Sequence, residues 1–311
     1  MSGPVDADRP IAAGAAGVGD PTLELLPSRE TDVAGSPVRR ALPNRRRRTV
    51  GAWCFVDHLG PALLDERTAV EIGPHPHTGL STVTWLVDGA QVHRDSLGTE
   101  QLIRPGQLNL MTAGGGVAHA EESLEYRGPI AGVQLWVAQP ETTRHGDPSF
   151  EHHAELPQLE LGAGTATVLV GRLADAESKA RADTPLLGVD LALRRGSTTV
   201  PLEREHEHAV VVLDGAVQLD GDRVVEPGAL AYLGADREEL ALTVRAPTRA
   251  LLLGGEPLGE QVLMWWNFVA RTREEIDRAY ADWASGNDRF GRVSSDLARM
   301  PAPTPPWQRA G

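Results

Sequence analysis

The stretch PHPHTGLSTVTWLVDG, residues 74–89, decides how the chain is read. His75 and His77 stand at i and i+2. In an extended segment such positions project to one face, so both imidazoles reach a common point. Thr82–Val87 is β-branched and aromatic, the composition of a strand. Asp88-Gly89 closes it with the residues of a tight hairpin turn.

Downstream the same grammar continues. Gln101–Ile103 runs into the turn Arg104-Pro105-Gly106, Leu108–Thr112 reads as a strand, and a glycine loop follows at 113–116. Val133–Val137 is another strand. Strand–turn units at roughly ten-residue spacing indicate an all-β sandwich or barrel. A second block repeats the order: His206-Glu207-His208, an apolar run, Asp214-Gly215, a further strand, then Glu226-Pro227-Gly228. This is a diverged internal repeat of one β-barrel unit.

The boundaries expected from composition are a mobile tail at 1–35, a first barrel at 36–145, a linker at 146–160, a second barrel at 161–291 and a loose tail at 292–311. A short strand is expected within the first tail, at Leu23–Leu26. One helix is legible near the C-terminus. Thr272 and Glu275 form a capping box, Ile276, Ala279, Tyr280 and Trp283 share one face, and Gly286 stops it.

The chain has 311 residues and a formal net charge of −13. An acidic chain lacks the basic surface that general nucleic-acid affinity needs, so no direct nucleic-acid partner is expected. There is a single cysteine, Cys54, read as a buried thiol. No secretory signal and no membrane-length apolar run are read, so a cytoplasmic protein away from membranes, and a monomer, is expected. Arg45 to Arg48 form a basic run with two readings: an anion or nucleic-acid contact, or a turn that pairs with the protein's own acidic surface.

His119-Ala120-Glu121 has the same i, i+2 spacing as the first histidine pair. Two turns lie between the pairs, which is enough chain to bring them onto neighbouring strands. Three histidines and one carboxylate then converge: His75, His77, His119 and Glu121. Imidazole with carboxylate and no thiolate suits a divalent first-row metal such as iron, manganese, nickel, copper or zinc. Ligands from two strands leave one side open for O2, water or a small-molecule substrate; a closed tetrahedral zinc site is the competing reading. His206 and His208 lack a third partner of this kind, so no second metal is expected.

Other residues are assigned around this cluster. His93 is placed in contact with the ligands or lining the pocket. Gln134 and Trp136 share a strand face suited to a planar ligand. Met111 is read as barrel filling and as a candidate pocket residue. His58 is read as structural.

The segments GAWCFVDHLGP (51–61), PHPHTGLSTVTWLVDG (74–89), HRDSLG (93–98), IRPGQLNLMTAGGGVAHAEES (103–123), VQLWV (133–137) and MWWNFVARTREEI (264–276) resemble the pirin family of the cupin superfamily. The resemblance implies a bicupin, with two β-barrels, a metal in the N-terminal barrel only, and a short C-terminal helix. The family's ligands fall on His75, His77, His119 and Glu121, and iron, as Fe2+, is the metal it implies. General cupins carry a carboxylate four residues after the second histidine; here that position is Ser81, which leaves Glu121 to supply it. Some pirin-like proteins are quercetin 2,3-dioxygenases, in which Glu121 would take the flavonol proton as the catalytic base. Others are partners of transcription regulators, which implies a protein partner and only incidental quercetin turnover.

Overall fold

The computed structural model describes residues 23–33, 36–64, 71–123 and 126–308. The chain forms two β-barrels, each built from a larger and a smaller sheet. In the first barrel the larger sheet runs Ser149–His153, Leu108–Thr112, Leu80–Asp88, Gly128–Ala138, Trp53–Leu64, Ser36–Leu42, Arg29–Val33. The smaller runs Glu71–His77, Val117–Glu122, Gln91–Asp95, Glu100–Ile103. The second barrel repeats this plan, with Glu207–Asp214 central in its larger sheet and Val217–Leu219 and Arg223–Val225 in its smaller one.

The turn residues do a different job from the one expected. Asp88-Gly89 does not close a hairpin: Leu80–Asp88 lies in the larger sheet and Gln91–Asp95 in the smaller. Arg104-Pro105-Gly106 then returns the chain to the larger sheet at Leu108. Asp214-Gly215 and Glu226-Pro227-Gly228 make the same two corners in the second barrel. The signal fixes a backbone with positive φ, here at Gly89 and Gly215, but not the partner of the strand that follows.

The inner strands of the larger sheets, such as Leu80–Asp88 and Glu207–Asp214, are buried on both faces, and the two faces have different roles. Val83, Trp85, Val133, Leu135 and Val137 point to the second barrel. They meet Leu169, Ala209, Val211, Leu251 and Leu253 in one core shared by both barrels. The opposite face of the second barrel's sheet, Val210, Val212, Leu191 and Leu252, fills that barrel with hydrocarbon. The opposite face of the first barrel's sheet carries Phe55, Asp57, Thr84, Gln134 and Trp136 and lines a cavity instead. Trp53 joins the barrels directly: its Nε1–H donates to the carbonyls of Leu187 at 3.0 Å and Gly254 at 3.1 Å. A Cβ at position 188 would lie 2.9 Å from the indole, so glycine is required there.

Parts of the segments expected as N-terminal tail and linker form strands, while residues 1–22 of that tail lie outside the described residues. Within the expected N-terminal tail, Glu24–Pro27 pairs with Ala229–Tyr232 of the second barrel, and Arg29–Val33 pairs with Ser36–Arg40 of the first. Within the expected linker, Ser149–His153 is an edge strand of the first barrel and Gln158–Leu161 one of the second. Arg46 pairs with Glu24, and the Arg47 guanidinium lies 3.2 Å from the Tyr232 ring centroid, so these two residues of the basic run engage the protein's own surface.

After Gly255 the chain returns to the first barrel. Val269 N–H donates to Thr78 O at 3.0 Å, Arg289 Nε–H to Gly115 O at 2.8 Å, and Met300 N–H to Pro74 O at 2.9 Å. The helix Arg273–Ser285 lies on this return, capped by Thr272 Oγ1, which accepts from Glu275 N–H, and ended by Gly286 at φ 69°. The Glu275 carboxylate accepts from Arg271 N–H and from Arg144, which fastens the helix to the first barrel. Among the described residues no helix is long and apolar enough to cross a membrane.

A shared core makes the barrels one cooperative unit. Replacing Trp53 by alanine is expected to lower the unfolding free energy by about 3–5 kcal/mol. Urea denaturation read by circular dichroism checks this, and a loss below about 1 kcal/mol would show that the barrels hold together without it.

Candidate metal centre

Two antiparallel strands of the smaller sheet carry the histidines. In the register of Glu71–His77 with Val117–Glu122, His77 faces Val117 and His75 faces His119. His75 and His119 are therefore direct cross-strand neighbours, with ring centroids 4.3 Å apart. His77 shares their face by the i, i+2 rule. Its Nε2 lies 3.0 Å from His119 Nε2, and one ring nitrogen from each of the three histidines lies within 4.8 Å of the others. Among the described residues this is the one such group; the second barrel offers only His206 and His208.

Outer contacts orient two of the three rings. His75 Nδ1–H donates to Gly73 O at 2.9 Å, which leaves its Nε2 as a bare lone pair. His119 Nδ1 lies 3.2 Å from His93 Nδ1, so its Nε2 also turns inward. Burial keeps the rings neutral. It pushes His75 down to about 4 and holds His77 and His119 well below the usual imidazole range, with His75 adding repulsion to both. Neutral imidazole is the ligating form. Two donors at right angles about one ion, with bonds of ~2.1 Å, are about 3.0 Å apart, the spacing of the His77 and His119 nitrogens. The donor set and its spacing fit a divalent metal.

Glu121 stands beside this triad without belonging to it. Its residue is buried and lines the same cavity, but its carboxylate is not within the 4.8 Å grouping of the imidazoles. Its strand keeps regular register with Gln91–Asp95, while on the other side a register shift between His119 and Glu121 sets Glu121 against Ile72 instead of Gly73. The extra residue falls at Gly73-Pro74, and bulges accommodate proline because it cannot donate to the ladder. Burial pushes the Glu121 carboxyl up to about 7.

The cavity has a volume of about 100 Å³. Gln134 and Trp136 line it as expected. Trp136 meets His77 edge-on at 5.2 Å and stacks on Phe55 at 4.0 Å. Phe55 in turn lies 4.4 Å under the Arg40 guanidinium, which grips Asp57 through Nε and Nη2 at 2.7 and 2.6 Å. Thr84 Oγ1 donates to Gln134 Oε1 at 2.8 Å. Asn267 and Met300, from the returning C-terminal segment, complete the wall.

Two candidate pocket residues lie elsewhere. Met111 packs with Ala113, Val117 and Phe150 and is not among the cavity's lining residues, so only its reading as barrel filling stands. His93 also stays out of the cavity; it stacks on Phe150 at 4.5 Å and bonds to His119 from behind. Its Nε2 lies 3.0 Å from Asp95 Oδ2. Burial alone would raise the Asp95 carboxyl, but hydrogen bonds from His93 and Thr99 outweigh it and hold it below its usual value. His58 is buried against Arg39, and Cys54 is a buried thiol pushed up to about 12. Ser81 faces the inter-barrel side, where its Oγ donates to Thr112 Oγ1 at 3.1 Å.

The sequence reading did not single out Asp95, Arg40, Asp57, Asn267 or Met300. Asp95 had a signal, the i, i+2 pair in His93-Arg94-Asp95. Asn267 and Met300 had none, because they reach the cavity through a fold-back that local pattern does not encode.

The family model described as Pirin matches residues 35–137, and that described as the Pirin C-terminal cupin domain matches residues 188–291. The chain belongs to the pirin family. A Pseudomonas aeruginosa protein named "putative quercetin 2,3-dioxygenase" is 43% identical to it over 92% of this chain and 91% of its own length. A Caulobacter vibrioides pirin-like protein is 38% identical over 84% of this chain and 93% of its own. The solved structure of a quercetin 2,3-dioxygenase from Acinetobacter baumannii superposes with a TM-score of 0.88 at 40% identity, covering 91% of this chain and 96% of that one. The bicupin architecture expected of the pirin family is therefore the one observed.

Elemental analysis separates the two candidate ligand assignments. His77→Ala is expected to lose bound metal, whereas Ser81→Ala keeps the wild-type stoichiometry. Metal loss in Ser81→Ala would overturn the assignment.

Proposed function

We propose that the chain is an iron(II)-dependent dioxygenase that opens the heterocycle of quercetin, or of a related flavonol or enolizable molecule, with O2. The observation that carries this reading is the set of three buried, neutral imidazoles turned into one cavity whose opposite wall is aromatic. The names of the similar proteins supply the substrate class. Held by His75, His77 and His119, with Glu121 as a fourth ligand, iron(II) would supply Lewis acidity toward the substrate hydroxyl and electron transfer toward O2.

The chain's own residues do the rest. Glu121, buried in the same cavity, takes the proton leaving the flavonol 3-hydroxyl on a carboxylate oxygen that the ion does not engage. The stacked Trp136 and Phe55 favour a flat aromatic ring. Gln134, whose carbonyl is occupied by Thr84, keeps its amide N–H for a substrate oxygen. Val38, Leu59 and Leu86 complete an apolar wall that keeps bulk water from the reacting atoms. Cys54, buried and without another cysteine, suits a reducing cytoplasm. The alternative that the family resemblance implies is a regulatory binding protein, for which the basic run Arg45–Arg48 could supply contacts. Arg46 and Arg47 are committed to Glu24, Tyr232 and Glu207, so that run does not favour it.

Aerobic quercetin consumption by iron-loaded protein tests the proposal. Glu121→Gln is expected to slow turnover by about 10²–10⁴-fold, with metal content measured on the same samples. Wild-type protein holding one iron per chain and leaving quercetin untouched would overturn it.

A further inference from the structure

Behind His119 lies a chain of hydrogen bonds that ends on a carboxylate. The Asp95 side chain is fully buried, and its two oxygens have separate partners. Oδ1 accepts the backbone N–H groups of Leu97 at 2.9 Å and Thr99 at 3.0 Å, which holds the turn between two strands. Oδ2 lies 3.0 Å from His93 Nε2, and His93 Nδ1 lies 3.2 Å from His119 Nδ1.

An ionised carboxylate only accepts, so His93 Nε2 must carry the proton. A His93 that carries this one N–H leaves its Nδ1 as an acceptor. The atom facing it, His119 Nδ1, must therefore donate. That leaves His119 Nε2 as a bare lone pair, and this is the nitrogen that faces His77 in the triad. The polarity set at Asp95 thus passes through one imidazole to the next.

We propose that Asp95, acting through His93, fixes His119 in the tautomer that offers Nε2 to a metal ion, and so sets how tightly the centre holds its ion. This rests on the metal-centre reading and not on the identity of the substrate. Asp95 and His93 are positioning residues: neither lines the cavity.

The two oxygens of Asp95 make the idea separable from folding. Asp95→Asn keeps an acceptor for Leu97 and Thr99, because turning the amide over would set its NH2 against two N–H donors. Its nitrogen then replaces Oδ2 and donates to His93. His93 must reverse, and His119 is driven to carry its proton on Nε2, where it opposes a metal. A misplaced tautomer of this kind disables catalysis in serine proteases when the buried aspartate becomes asparagine.

The test is the affinity of the full chain for Zn2+, by competition with a chromophoric chelator, together with the visible spectrum of the Co2+ form. Asp95→Asn is expected to weaken Zn2+ binding by about 10–100-fold and to change the Co2+ bands, while the metal-free protein melts with the wild type. In a His93→Phe background, Asp95→Asn is expected to have no further effect, because the connecting ring is gone. His93→Gln, whose amide can accept from His119 and donate to Asp95, is expected to bind more tightly than His93→Phe. Wild-type affinity in Asp95→Asn, or the same loss with and without His93, overturns the proposal. If Asp95→Asn does not fold, equal affinities of His93→Gln and His93→Phe overturn it. Failure of the wild type to bind either ion stoichiometrically would sink the metal-centre reading and this inference with it.

Discussion

Three uncharged imidazoles facing one another inside a barrel are the constraint around which the molecule is arranged. Their lone pairs cannot be packed over with hydrocarbon without stranding buried polar atoms, which is costly. The first barrel therefore keeps a cavity where the second has Val210, Val212 and Leu252. A barrel that keeps its interior for a site must find apolar burial elsewhere. It does so on the outer face of its larger sheet, where Trp53, Trp85 and Leu135 pack against the second barrel. The hydrocarbon-filled copy of the repeat is thus the structural partner of the copy that keeps the cavity.

The same division explains which strands look alike in sequence. Thr82 and Thr84 alternate with Val83 and Trp85, and the threonines take the cavity side while the apolar residues take the shared core. In the second barrel the run Ala209–Leu213 is apolar on both faces, because both faces meet hydrocarbon. Polar residues at alternate positions of a fully buried strand mark the face that works.

Local pattern carried much of this architecture and much of the site. The i, i+2 pairs placed His75, His77 and His119 together, and Thr272, Ile276, Trp283 and Gly286 defined the helix that is observed. What local pattern missed depends on distant parts of the chain. Asp88-Gly89 specifies a turn, yet whether the next strand continues the same sheet or crosses to the other is decided by what else competes for its edge. The strand expected at Leu23–Leu26 is observed at Glu24–Pro27, but nothing in its own residues says that it pairs with Ala229–Tyr232 of the second barrel. The bulge at Gly73-Pro74 sets Glu121 opposite Ile72, and the alternation rule has no means of counting its extra residue. Resemblance to the pirin family added the architecture and a chemistry, but not these departures.

The returning C-terminal segment gives the chain a temporal order. Its backbone crosses Gly73 so closely that a Cβ there would lie 2.1 Å from the Ala298 carbonyl oxygen, and Met300 then closes the cavity. On the ribosome the histidine-bearing strands emerge long before residue 300 is made. Throughout that interval the chain lacks Asn267 and Met300, two residues of the cavity wall. The wall of the site is therefore completed by the end of the chain, after both of the barrels that share a core have been made.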